Sequence, residues 1–191
     1  MKKQYNKSKH YRAALPLVAL FMLPGASYAE DPAPVTVDGG TINFEGSVVT
    51  AACALSSNSA NMTVDMGQVR TTVLSAVGSV ASTGKDFSIL LDDCDVTTYT
   101  GVSITFNGSG DSTDPTALAT GVNGSSSSAQ NVAIRFYDEA GTAVKLNEAS
   151  SVTSLRAGSN QINFSAKYAS PHGGATAGDA SAVATYTLTY S

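Results

Sequence analysis

The 191-residue sequence holds only two cysteines, Cys53 and Cys94, and two histidines, His10 and His172, and its apolar run Ala13–Leu23 stops at eleven residues. A helix needs about 20 apolar residues to cross a bilayer, so that run, with Pro16 inside it, is no membrane anchor. It lies between the basic leader MKKQYNKSKHYR and the small residues Ser27 and Ala29, the pattern of a secretory signal peptide cleaved after Ala29. What remains is 162 residues, enough for one ordinary domain with a sizeable core.

Basic charge is equally scarce. All fifteen acidic side chains follow Ala29, while five of the eleven basic ones leave with the leader, so the mature chain carries a net charge of −9. Such a chain repels nucleic acid, and no basic cluster survives to meet a membrane surface. The negative charge reads as a solubility feature.

These shortages exclude most catalysis. His172, the sole histidine of the mature chain, lies in the Gly-rich stretch SPHGGA and reads as a solvated loop residue. A zinc or copper site wants several His or Cys ligands. Asp92, Asp93 and Asp95 of LDDCD lack the spaced ligands of a calcium loop and read as a solvated strand end. No motif singles out a carboxylate pair for glycoside chemistry, and FNGSGD lacks the lysine of a phosphate cradle. The N-x-S/T triplets at Asn61, Asn107, Asn123 and Asn163 are what chance gives in so Ser/Thr-rich a chain. No catalytic residue, metal or cofactor is expected.

The two cysteines enter an oxidising compartment and predict one disulfide, Cys53–Cys94; reactive thiols or a metal pair would want a nearby His or CxxC spacing. Closing a loop of about 40 residues contributes roughly 4 kcal/mol in the loop-entropy model.

What the chain has in abundance is alternation, which predicts an all-β fold. Met62, Val64 and Met66 alternate, as do Phe87, Ile89 and Leu91, and Val102, Ile104 and Phe106. Val132, Ile134 and Phe136 lead through DEAG into Val144 and Leu146, a hairpin signature. Two further inward rows follow: Ile162, Phe164, Ala166 and Tyr168, then Ala184, Tyr186, Leu188 and Tyr190. The intervening stretches 111–130 and 170–181 are polar and small and read as surface loops. About eight strands in this length point to an immunoglobulin-like β-sandwich. GTINFEGSVV, residues 40–49, is itself patterned as a strand, with Ile42, Phe44 and Val48 on one face, and by pattern alone it belongs in its own sheet.

Read together, GGTINFEGSVVTAACAL with Cys53, LDDCD with Cys94, and the terminal ATYTLTYS with Gly178 fourteenth from the end give a combination that resembles the chaperone-usher pilus subunits of Gram-negative bacteria. The resemblance spans nearly the whole mature chain and is strongest to the major subunit of type 1-like fimbriae. It implies an incomplete immunoglobulin-like sandwich completed in trans by a donor strand, and the division 1–29 signal peptide, 30–50 N-terminal extension, 51–191 pilin domain.

In that reading Gly40, Ile42, Phe44, Gly46 and Val48 are the donor face, with Gly46 matching the family's glycine; Gly40 departs from members that place an apolar residue there. The receiving strand, first for a periplasmic chaperone and then for the next subunit, carries Gly178, Ala184, Tyr186, Leu188 and Tyr190. The implied partners are identical or related subunits, that chaperone and an outer-membrane usher, and the implied destination is a surface fimbrium supporting adhesion. The alternatives are a monomeric secreted binding domain such as a small lectin, or a minor adaptor subunit.

Overall fold

Alternating apolar rows become strands where a neighbour completes the hydrogen-bond ladder, and most of the rows above find one. The computed structural model describes residues 33–121 and 127–191; the leader and Asn123 lie outside the described residues. The chain divides into two units, Met1–Glu45 and Gly46–Ser191. In the first, residues 33–45 belong to no strand or helix.

In the second unit the long strands are β3 (Lys85–Cys94), β4 (Gly101–Asn107), β6 (Ala133–Asp138), β9 (Gly158–Ser170) and β10 (Thr185–Tyr190). Five two-residue strands complete the set: β1 (Ala54–Leu55), β2 (Ser79–Val80), β5 (Leu118–Ala119), β7 (Ala143–Val144) and β8 (Thr153–Ser154). One sheet runs β1-β3-β9-β6-β5, with β2 on β9 and β7 on β6; the other runs β10-β4-β8. All their strand pairings are antiparallel.

The registers follow from the apolar rows. Phe87 faces Phe164 and Ile89 faces Ile162 across β3 and β9; Phe136 faces Ala166 across β6 and β9; Tyr186, Leu188 and Tyr190 face Phe106, Ile104 and Val102 across β10 and β4. A one-residue slip would turn each row to the opposite side, so burial of one face fixes the pairing. Between the sheets the phenylalanines meet: Phe106 stacks on Phe136 at 4.6 Å and lies edge-on to Phe164 at 5.0 Å. Such pairs add about 0.5–1.5 kcal/mol each beyond area burial.

One irregularity serves the disulfide. Leu91 and Cys94 are both buried, yet three positions apart they would face opposite sides of a regular strand. The register shifts between them, and Asp93 takes φ 51°, so the bulge turns Cys94 back toward the core. There it bonds Cys53 across a sequence separation of 41. Replacing either cysteine by Ser is expected to remove roughly 4 kcal/mol and to lower the amount of exported protein. Quantitative blotting of periplasmic extracts checks this, and labelling of both thiols in unreduced protein would contradict it.

Three expectations need correction. Residues 62–66 keep their half-buried alternation but form no strand, because no neighbour offers them a ladder. The stretch 111–130 is not wholly surface: Ala117, Leu118 and Ala129 are buried, and Leu118 pairs with Ile134 in β6. In 170–181, Ser170 is fully buried, its hydroxyl donating to the Asn131 carbonyl at 2.5 Å.

Candidate functional site

A sheet edge is a row of unmet backbone donors and acceptors. β10 is such an edge: it is laddered to β4 over all six of its residues on one side and, among the described residues, to nothing on the other. Beside that free edge the two layers do not close. A cavity of about 890 Å³ lies between one wall, Met62–Val69, and a second, Ala175–Ala184 with Tyr186. Its floor is the phenylalanine cluster, including Phe87, Phe106 and Phe136. Phe87 is on the inward row of β3 yet only half-buried. The Met62–Val69 wall pairs with no strand among the described residues, although its first five residues alternate half-buried and exposed; at Gly67, φ 64°, the chain turns, with the Asp65 carboxylate accepting the Gly67 amide at 2.9 Å.

Of the expected receiving residues, Tyr186, Leu188 and Tyr190 lie on β10 with their side chains half-buried against the core, whereas Ala184 and Gly178 precede the strand. The two tyrosines reach across to the chain that precedes the Met62–Val69 wall. The Tyr186 hydroxyl donates to the Ser59 carbonyl at 2.6 Å, and the Tyr190 hydroxyl to the Cys53 carbonyl at 3.5 Å. Burial pushes both phenols above their ordinary pKa. Tyr168, lining the same cavity, is raised by burial and then by the nearby carboxylates of Asp179 and Asp65.

The opposite end has its own small core of Leu74, Ala129 and Val132, packed by Val69, Tyr168, Ala175 and Ala180. Sequence reading saw only Val132 of it, in the row with Ile134 and Phe136, because Leu74 and Ala129 lie in stretches without alternation. Gly178 stands at this end, crossing the segment 127–129. A Cβ there would lie 2.4 Å from the Ala129 amide nitrogen and 2.5 Å from the Ser127 carbonyl oxygen.

The expected donor residues are all in the open. Ile42 is 75 %, Phe44 91 % and Val48 102 % exposed, and no residue from 33 to 50 belongs to a strand. No atom approaches within 4 Å of where a Cβ would stand on Gly40 or Gly46. An apolar row so exposed is unusual in a chain that otherwise buries its alternation.

The residues weighed for chemistry fall elsewhere. His172 is exposed, within hydrogen-bond reach of Thr113 at 2.7 Å and 3.7 Å from an Asp111 carboxylate oxygen. Asp95 accepts the Thr97 amide at 2.9 Å, a bond that holds its carboxyl below the usual range, while Asp92 accepts the Ser159 hydroxyl at 3.1 Å. Among the described residues no group of three or more His, Cys, Asp or Glu is placed to hold a metal ion.

Comparison with known proteins gives a consistent result. The family model described as Fimbrial protein matches residues 42–191. The chain is 37% identical over 184 residues to the fimbrial subunit type 1 of Salmonella typhimurium, covering 95% of this chain and 99% of the relative. It is 39% identical over 180 residues to the type-1 fimbrial protein A chain of Escherichia coli, covering 93% and 96%. Among solved structures, a chaperone-usher pilus studied for rod uncoiling aligns with a TM-score of 0.68 at 28% identity, covering 83% of this chain and 100% of that one. The P pilus rod subunit PapA aligns with a TM-score of 0.62 at 27% identity, over 74% and 100%.

Proposed function

The chain belongs to the fimbrial protein family and is a structural subunit of a surface fimbria, not an enzyme; from that premise we propose that it polymerises by donor-strand exchange. The extension, residues 30–50, of one copy fills the groove of another. Gly40, Ile42, Phe44, Gly46 and Val48 form the donated face, and the β10 edge with Gly178, Ala184, Tyr186, Leu188 and Tyr190 receives it. Strand addition to an exposed edge supplies main-chain hydrogen bonds for affinity and pockets for alternate side chains for specificity. Until the next copy arrives, a periplasmic chaperone covers the groove, and an outer-membrane usher carries the growing rod outward.

One observation carries this reading: the same chain has a strand edge with an open apolar groove and an unpaired alternating segment with nothing to cover it. One offers an unfilled apolar groove beside a free backbone edge, and the other an exposed apolar row able to enter it. A monomeric lectin would explain neither.

Gly46→Arg tests it. The substitution places a long cation on the face destined for a desolvated groove, where an unpaired charge costs several kcal/mol. The altered chain is expected to fold on its chaperone and accumulate as the native chain does, but to give no denaturant-resistant ladder on unheated gels. Normal ladders from Gly46→Arg, or a single monomer band from the native assembled material, would overturn the assignment.

A further inference from the structure

The two ends of the groove are built differently. At the β10 end the acceptor's own tyrosines reach across to the chain that precedes the Met62–Val69 wall, Tyr186 to Ser59 and Tyr190 to Cys53. The open cavity therefore extends from Met62 and Tyr186 to Leu74, Ala129 and Gly178, and reaches neither Leu188 nor Tyr190. The extension has a matching asymmetry. Its patterned segment begins without side chains at Gly39 and Gly40 and ends in the bulky pair Val48 and Val49.

Building on the donor-strand reading, we propose that the Tyr190 side chain fills the outermost position of the groove and thereby selects glycine at position 40 of the incoming extension of a second copy. Gly40 then lies over Tyr190, where a missing Cβ lets backbone approach the aromatic ring closely. Val48 enters the open end, among the small core of Val69, Leu74 and Ala180. Eight residue steps separate Gly40 from Val48, about 27 Å at strand rise, more than the six-residue β10 spans, so the far end of the extension passes beyond β10 beside the segment Ala180–Ala184. The extension accordingly runs antiparallel to β10. The reverse direction would press Val48 onto the Tyr190 ring and leave glycine in the open end, combining overpacking with an unfilled cavity. The glycine at position 40 is, in this view, the complement of a tyrosine and not a poorly filled pocket.

The experiment uses the mature subunit purified with its periplasmic chaperone and synthetic peptides of residues 35–50, and follows displacement of the chaperone. The Gly40→Leu peptide is expected to seat about tenfold less well than the native peptide, the size of a modest overpacking penalty. On a Tyr190→Ala subunit the difference disappears; on Tyr190→Phe, which keeps the ring, it persists. A Gly40→Leu peptide that seats as well as the native one on the unaltered subunit overturns the inference, as does its failure to recover on Tyr190→Ala. The peptide series on the unaltered subunit decides the matter even if Tyr190→Ala is not recovered from cells. A Phe44→Ala peptide keeps the two readings apart: if it too seats like the native peptide, the donor-strand assignment itself falls.

Discussion

A second copy of residues 40–50, joined after Ser191 through a short flexible linker, is expected to convert the chain into a stable monomer that needs no chaperone. The free β10 edge gains its missing ladder, and Ile42, Phe44 and Val48 leave water for the groove. Full burial of such side chains contributes about 1.5–3 kcal/mol each, and tethering presents the strand at an effective concentration in the millimolar range. For a domain of this size the midpoint of thermal unfolding should rise by about 10 °C or more. Gel filtration and a thermal melt read both effects. The same appended copy carrying Gly46→Arg should give neither gain. If the unmodified mature chain proves equally monomeric and heat-resistant alone, the groove is not a vacancy waiting for a strand.

Gly178→Leu is the second large effect, and it acts on the fold. Segment 127–129 crosses Gly178 so closely that a Cβ would stand 2.6 Å from the Ser128 carbonyl carbon and nearer still to its neighbours. These are backbone atoms, which cannot swing aside as a flexible side chain can. The crossing is fastened by two main-chain bonds, from the Asp179 amide to the Ser127 carbonyl and from the Ala129 amide to the Asp179 carbonyl, each 2.8 Å. Any side chain at 178 prises them apart and opens the small core of Leu74, Ala129 and Val132 beneath. A loss of about 3 kcal/mol is expected, already partly present in Gly178→Ala. Denaturant unfolding of the strand-completed monomer measures it without involving assembly. A Gly178→Ala protein within about 0.5 kcal/mol of the parent, the ordinary range of a surface change, would show that the crossing yields.

Where burial on one face repeats every second residue, the sequence declared its strands plainly. Phe87, Ile89, Ile162 and Phe164 could be paired on paper because a period of two leaves one register that buries both rows. The groove was legible only through the family resemblance, since the pattern of Met62, Val64 and Met66 says half-buried strand but not that its neighbour is absent. Three features were not legible. The turn of Cys94 toward Cys53 depends on the bulge at Asp93, and no residue type demands a bulge there. Leu118 is a lone apolar residue in a polar stretch, buried because β6 offers it a ladder from afar. The constraint on Gly178 comes from a segment some fifty residues away in sequence, a distance across which periodicity carries no information.

The position of the disulfide has a mechanical consequence. In a rod built by exchanged strands, tension between copies arrives through each extension and enters the donating chain's own body just beyond Thr50. Three residues later Cys53 is bonded to Cys94 at the end of β3, which is flanked by β1 and by the longest strand, β9. The load therefore bypasses the two-residue β1, which alone would peel away one bond at a time, and is delivered to a strand laddered along most of its length to the 13-residue β9. At the other end of the path the antiparallel partners of β10 are drawn lengthwise past one another, so their bonds resist together in shear. A pull on the fibre is thus carried by covalent linkage and by many hydrogen bonds in parallel, and the first thing to give should be contacts between copies, not the fold within one.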